Sequence, residues 1–145
     1  MGRFNHRTHR KLLVVDGRIG YAFGHGIADT WLGNGSDPEH WRDTGVRLEG
    51  PVVHGLQSVF AQNWVEETRC LPAGDACFPV LEPRGDVSAH VVSSASGDAV
   101  SSVAMLYTIA IAAARREVLI QNPYFAPGDG VCELFAMMVR RGVAL

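Results

Sequence analysis

Hydrophobic and polar positions recur with changing period along the chain, and each change of period predicts an element. A short apolar run over residues 11–15 ends at Asp16-Gly17, a dipeptide suited to a two-residue hairpin turn, so a second strand over residues 19–23 should pair back on the first. Residues 29–40 are polar and rich in turn formers, with Gly33-Asn34-Gly35-Ser36-Asp37-Pro38 at their centre, and predict a surface loop. A third strand follows at residues 46–48. Pro51 suits the first turn of a helix running to about residue 67, in which Val52, Val53, Leu56, Phe60, Asn63 and Trp64 recur at spacings that keep the apolar members on one face. That face should pack on the sheet, with Phe60 and Trp64 in the core.

Residues 69–86 carry Leu71-Pro72, Gly74, Phe78-Pro79, Glu82-Pro83 and Gly85 and predict a connector. Beyond it strand and helix alternate. A strand is predicted over residues 89–92, a helix over 98–115, a strand over 118–121, and a helix over 131–141 that Gly142 ends. Val143-Ala144-Leu145 then opens another apolar strand. The pattern is that of an α/β chain.

Composition places the chain among globular proteins, at 47% hydrophobic and 19% charged residues. The formal net charge of -2 disfavours nucleic acid as a general partner. Charge is unevenly spread, however. Arg3, Arg7, Arg10, Lys11 and Arg18 face Asp16 alone in the opening stretch, so the field around His9 favours an anion, although a solvated basic terminus has the same composition. Lys11 is the sole lysine among 13 basic residues. Cys70, Cys77 and Cys132 are odd in number and lack a CxxC pairing, which points away from a disulfide framework or structural zinc. His6, His9 and His25 lack a zinc-like ligand spacing, so no metal and no cofactor is expected. The longest apolar stretch, residues 103–114, is interrupted by Tyr107 and Thr108 and falls short of the roughly 18 residues that cross a bilayer. The first residues are basic rather than apolar, unlike a signal peptide.

Chemistry enters at His9-Arg10-Lys11. Successive side chains of an extended strand point to opposite faces, so His9 and Lys11 stand together with Arg10 turned away. Imidazole can attack phosphorus or move a proton near neutral pH, and the compact ammonium offers a point charge to phosphate oxygens. Asp16 lies seven residues after His9, roughly 23 Å along an ideal strand and on the opposite face. Its position reads as that of a turn former, with a place near the site only if tertiary folding returns it there.

The spacing of His9, Lys11 and Asp16 resembles the HKD motif of the phospholipase D superfamily, which runs His, any residue, Lys, four residues, Asp. The likeness continues through Gly24, Trp41-Arg42-Asp43-Thr44, Glu49-Gly50-Pro51 and Phe60 with Trp64, a succession similar to the cardiolipin synthase branch. Gln121-Asn122-Pro123-Tyr124-Phe125-Ala126-Pro127 is similar to a stretch that follows the second strand of the later repeat in that branch. The resemblance implies a phospholipase D-like mixed sheet flanked by helices, present here as the end of one repeat (residues 1–68), a linker (69–87) and the start of the next (88–145). The second motif would lie beyond Leu145, since no His follows His90.

The resemblance also implies a reaction. A phosphatidyl group would pass through a phosphohistidine, with His9 as nucleophile and Lys11 clamping the phosphate, and with no metal. The superfamily places an acidic residue near position 43, so Asp43 is the candidate partner that orients the His9 imidazole; a surface ion pair with Arg42 or Arg47 is the competing reading. Gly24 and Gly26 fall where the family has small residues and an Asn approaching the phosphate. Phe23 and Gly26 depart from that pattern, so a side-chain contact from position 26 is lost. The implied partner is a phospholipid such as phosphatidylglycerol at a membrane surface, reached through segments outside this chain, the segment itself being soluble. A lipase or nuclease of the same superfamily, or a silent anion-binding segment, would share these residues.

Overall fold

The structure, a computed structural model, describes residues 8–95, 101–122 and 124–145. Arg3, His6, Arg7, Pro123 and the expected helix start at Asp98 lie outside the described residues. The chain divides into two compact units, Met1–Val91 and Val92–Leu145.

The first unit is built on a three-stranded antiparallel sheet in the order β1 (Leu12–Val15), β2 (Ile19–Ala22), β3 (Val46–Glu49). Val15 faces Ile19 and Leu12 faces Ala22 across the first pair, and Ile19 faces Glu49 across the second. The hairpin is a correction to the expected two-residue turn. Its register leaves Asp16, Gly17 and Arg18 between the strands, with Arg18 N–H donating to the Val15 carbonyl at 2.9 Å. Asp16 (φ 53°) and Gly17 (φ 65°) both take the left-handed backbone that Asp and Gly tolerate best. Gly17 is also needed for space: a Cβ there would stand 2.6 Å from Pro79 Cδ and 2.7 Å from the Cys77 carbonyl oxygen.

Helix α1 (Val53–Thr68) covers one face of this sheet. Val53, Leu56, Val59 and Ala61 are buried, and Gly20 lets the helix approach so closely that a Cβ would meet Leu56 Cδ1 at 2.6 Å. The other flank of α1 receives the connector. His54 Nε2 lies 2.9 Å from the Pro79 carbonyl, its ring lies against Phe78, and Gly55 abuts Val91. Phe60 and Trp64 do not join the core as expected. They stack on each other at 5.7 Å and remain 40% and 45% exposed.

The second unit packs α2 (Ser102–Ala113) against α3 (Asp129–Arg140). Ser101 caps α2 by accepting from Ala104 N–H at 3.2 Å, and Arg141 reaches the Ala112 carbonyl at 3.1 Å. Met138 and Val143 are its buried side chains. The strands expected over residues 89–92 and 118–121 do not form as such. Residues 89–92 are irregular, and residues 118–121 give way to a single parallel bridge, Glu117 to Ala144. Val118 N–H donates to the Ala144 carbonyl and Ala144 N–H to the Arg116 carbonyl, both at 2.9 Å, and the pairing goes no further among the described residues. The architecture is thus α and β together, an antiparallel sheet with three helices.

Candidate active site

Residues 9–11 lead into β1, and the Phe23 N–H bond to the Lys11 carbonyl carries its pairing back one residue. Arg10 turns toward α1, where its Nη1 donates to Asn63 Oδ1 at 2.9 Å. His9 and Lys11 go to the other face of the sheet, the one α1 leaves open. Lys11 Nζ stands 3.2 Å from His9 Nε2, 3.4 Å from Nδ1 and 3.4 Å from the His9 carbonyl oxygen. A phosphate oxygen that touches one of these groups is therefore within reach of the other. Leu13, Tyr21 and Phe23 continue the open face as an apolar groove, with Arg47 on the neighbouring strand. The Tyr21 hydroxyl, and after it the Glu49 carboxylate, hold the Arg47 guanidinium above its ordinary pKa.

Asp16 is not brought to this pair. It sits exposed in the hairpin turn at the far end of β1, with no hydrogen bond to His9.

Asp43 is placed by the loop that joins β2 to β3. Its Oδ2 accepts from Gly24 N–H at 2.6 Å and from His25 N–H at 2.9 Å, and lies 3.4 Å from His25 Nδ1. No hydrogen bond or ion pair joins Asp43 to His9, nor to Arg42 or Arg47; the imidazole it faces is that of His25. The Gly24 N–H is the largest influence on its carboxyl, and with the Thr44 and His25 bonds it outweighs partial burial to hold the group below the usual carboxylate range. Gly24 admits the carboxylate, because a Cβ there would sit 3.1 Å from Oδ1. Its N–H is thereby committed to Asp43. Gly26 lies beside the Trp31 indole, with room for a Cβ 3.6 Å from Nε1.

His25 is the residue whose place sequence reasoning missed, having entered only as one of three histidines without a metal spacing. Its ring stacks on Phe23 at 4.4 Å and 19°, and lies 6.2 Å from the Trp31 ring. Trp31 in turn meets Trp41 edge-on at 5.1 Å, and Trp41 N–H donates to the Thr30 carbonyl at 2.7 Å to close the loop. The hairpin register held the signal. Phe23 N–H donates to the Lys11 carbonyl, which extends the ladder, and two residues later His25 falls on the face that carries His9. Among the described residues no cluster of His, Cys, Asp or Glu could hold a metal ion, and the three thiols are free.

Comparison with known proteins adds a sequence kinship. Cardiolipin synthase A of Pseudomonas putida (strain GB-1) is 37% identical over 139 residues, 96% of this chain. The enzyme of Pseudomonas syringae pv. syringae (strain B728a) is 38% identical over 141 residues, 97% of the chain, and that of Pseudomonas entomophila (strain L48) is 37% identical over 139. The chain spans 29% of the length of each of these relatives. No protein-family model matches the chain, and no solved structure does.

Proposed function

We propose that this chain, a cardiolipin synthase A-like region, carries one His-x-Lys half of a phosphatidyl-transfer site in phospholipid synthesis. The observation that supports the reading is the meeting of Lys11 Nζ and His9 Nε2, 3.2 Å apart and exposed. A His9 ring nitrogen forms a bond to phosphorus as the bond from phosphorus to the departing alcohol oxygen breaks. Lys11 holds the non-bridging oxygens, whose charge grows in the transition state. The departing oxygen takes a proton from a second acid, which in this reading is the histidine of a further His-x-Lys segment outside this chain. The acceptor alcohol then attacks the phosphohistidine, the phosphorus–nitrogen bond breaks, and the alcohol proton passes to that same group.

Asp43 enters as the post that anchors the Gly24-His25 loop beside the site, with Gly24 as the position that admits it. Gly26 brings no side chain to the phosphate in this reading. Asp16 serves the hairpin. Membrane association of the intact protein belongs to segments outside this chain; among the described residues no helix is long and apolar enough to cross a membrane.

The test is His9→Ala in the full-length protein, with phosphatidylglycerol as substrate. Turnover should fall at least about 10²-fold, the usual worth of a positioned acid, base or nucleophile. Unchanged turnover would remove His9 from the chemistry. Faster cleavage of a single-stranded oligonucleotide than of phosphatidylglycerol by the wild type would move the reading to a nuclease.

A further inference from the structure

His25 has no part in the chemistry above, yet the hairpin register sets it beside that chemistry. Leu12 faces Ala22, and Phe23 N–H bonds the Lys11 carbonyl at 3.2 Å, so the next residues in step are His9 and His25. The backbones part there. His25 N–H donates to Asp43 Oδ2 at 2.9 Å, where a continuing ladder would have it donate to the His9 carbonyl, and the Lys11 ammonium lies 3.4 Å from that carbonyl instead. Residues in step across an antiparallel pair carry their side chains on the same face, so two imidazoles stand across from each other at the open end of the hairpin.

Two neighbours fix the second ring. Asp43 Oδ2 lies 3.4 Å from Nδ1, and Phe23 stacks on the ring at 4.4 Å. With Nδ1 turned to the carboxylate, Nε2 is the nitrogen left for a ligand. The same ring lines the groove of about 380 Å³ that Leu13, Tyr21, Phe23 and Arg47 also line.

We propose that His25 is a second proton-transfer residue of this site, acting through Nε2 on the oxygen that leaves phosphorus; the inference rests on the His9 reading above and adds to it an acid that this chain itself carries. As a His9 nitrogen bonds to phosphorus, the bond from phosphorus to the alcohol oxygen breaks and that oxygen takes the Nε2 proton. Water then attacks the phosphohistidine and gives a proton to Nε2, the phosphorus–nitrogen bond breaks, and His9 is freed. The neighbours of the two rings differ in the sense this division needs. His9 has the Lys11 ammonium beside it, which serves the phosphate oxygens, and His25 has the Asp43 carboxylate, which holds its ring in one orientation as the proton comes and goes. In the full-length protein this route runs beside the outside histidine. In the 145-residue chain it is the route that remains.

The experiment uses the 145-residue chain and a pair of phosphatidyl esters that differ only in the leaving alcohol, phosphatidylglycerol and phosphatidyl-p-nitrophenol. Glycerol leaves with a proton, whereas nitrophenolate leaves without one. In His25→Ala the first turnover of phosphatidylglycerol should slow about 10²-fold, while the nitrophenolate burst slows less than about threefold and then stops, because the phosphohistidine has lost its base. The surviving burst also reports that the variant is folded. His9→Ala should abolish the burst. Equal loss on both esters, or no loss on phosphatidylglycerol, overturns the role of His25, and so does a wild-type chain that cleaves neither ester while the full-length protein transfers. His9→Ala that leaves transfer by the full-length protein intact sinks the transfer reading instead.

Discussion

Asp43 shows how one side chain can organise a loop through backbone contacts alone. Two consecutive N–H groups converge on Oδ2, so replacing the carboxylate by an amide removes a charged acceptor and turns an amide nitrogen or a weaker oxygen toward them. Asp43→Asn should cost about 1 kcal/mol of stability, read as a lowered urea midpoint. The same group sets an acid dependence. Its folded-state pKa lies below the ordinary value, so its contribution is present above the unfolded carboxylate range and is lost as pH falls through the depressed folded value. The urea midpoints of wild type and Asp43→Asn should therefore differ at neutral pH and converge well below about pH 4. Midpoints that stay parallel to the lowest pH would show that the carboxylate does not hold the loop.

At the scale of elements, the hairpin is held by its tip as well as by its ladder. Gly17 combines a left-handed backbone with backbone atoms of the connector at contact distance, so no rotamer change can relieve a substitution. Gly17→Ala should destabilise by about 2 kcal/mol or more in a thermal or urea melt, through backbone strain and overpacking together. Gly74→Ala, also at positive φ but with nothing near its Cβ, should cost less, since only the strain remains. In the second unit, Ser101→Ala removes the cap of α2 and should lower stability by about 1 kcal/mol.

At the scale of the molecule, the first compact unit runs past the helix to Val91. The connector packs on α1 through Phe78 and Pro79, and Val91 beyond it abuts Gly55, so residues 69–91 belong to the fold of that unit. A version ending at residue 91 should resist urea better than one ending at residue 68; equal midpoints would show that the connector contacts are incidental. The proposed chemistry also has a signature at this scale. With one His-x-Lys pair, the 145-residue chain should turn over phospholipid at least about 10²-fold more slowly than the full-length protein.

What the sequence alone determined is local. Parity along a strand put His9 and Lys11 on one face and Arg10 on the other, Asp16-Gly17 marked the hairpin, and the apolar spacing after Pro51 marked α1, because each depends only on neighbours within a few residues. What tertiary structure decided depends on distant partners. The strands expected over residues 89–92 and 118–121 found no ladder, Phe60 and Trp64 stayed partly exposed, and the hairpin took one residue more than its dipeptide suggested. Asp43 went to Gly24 and His25 because the loop after β2 brings two N–H groups to it at once, while spacing in the chain says nothing about which imidazole a carboxylate will meet. His25 was legible only through register, a property of paired strands that a single run of residues does not carry.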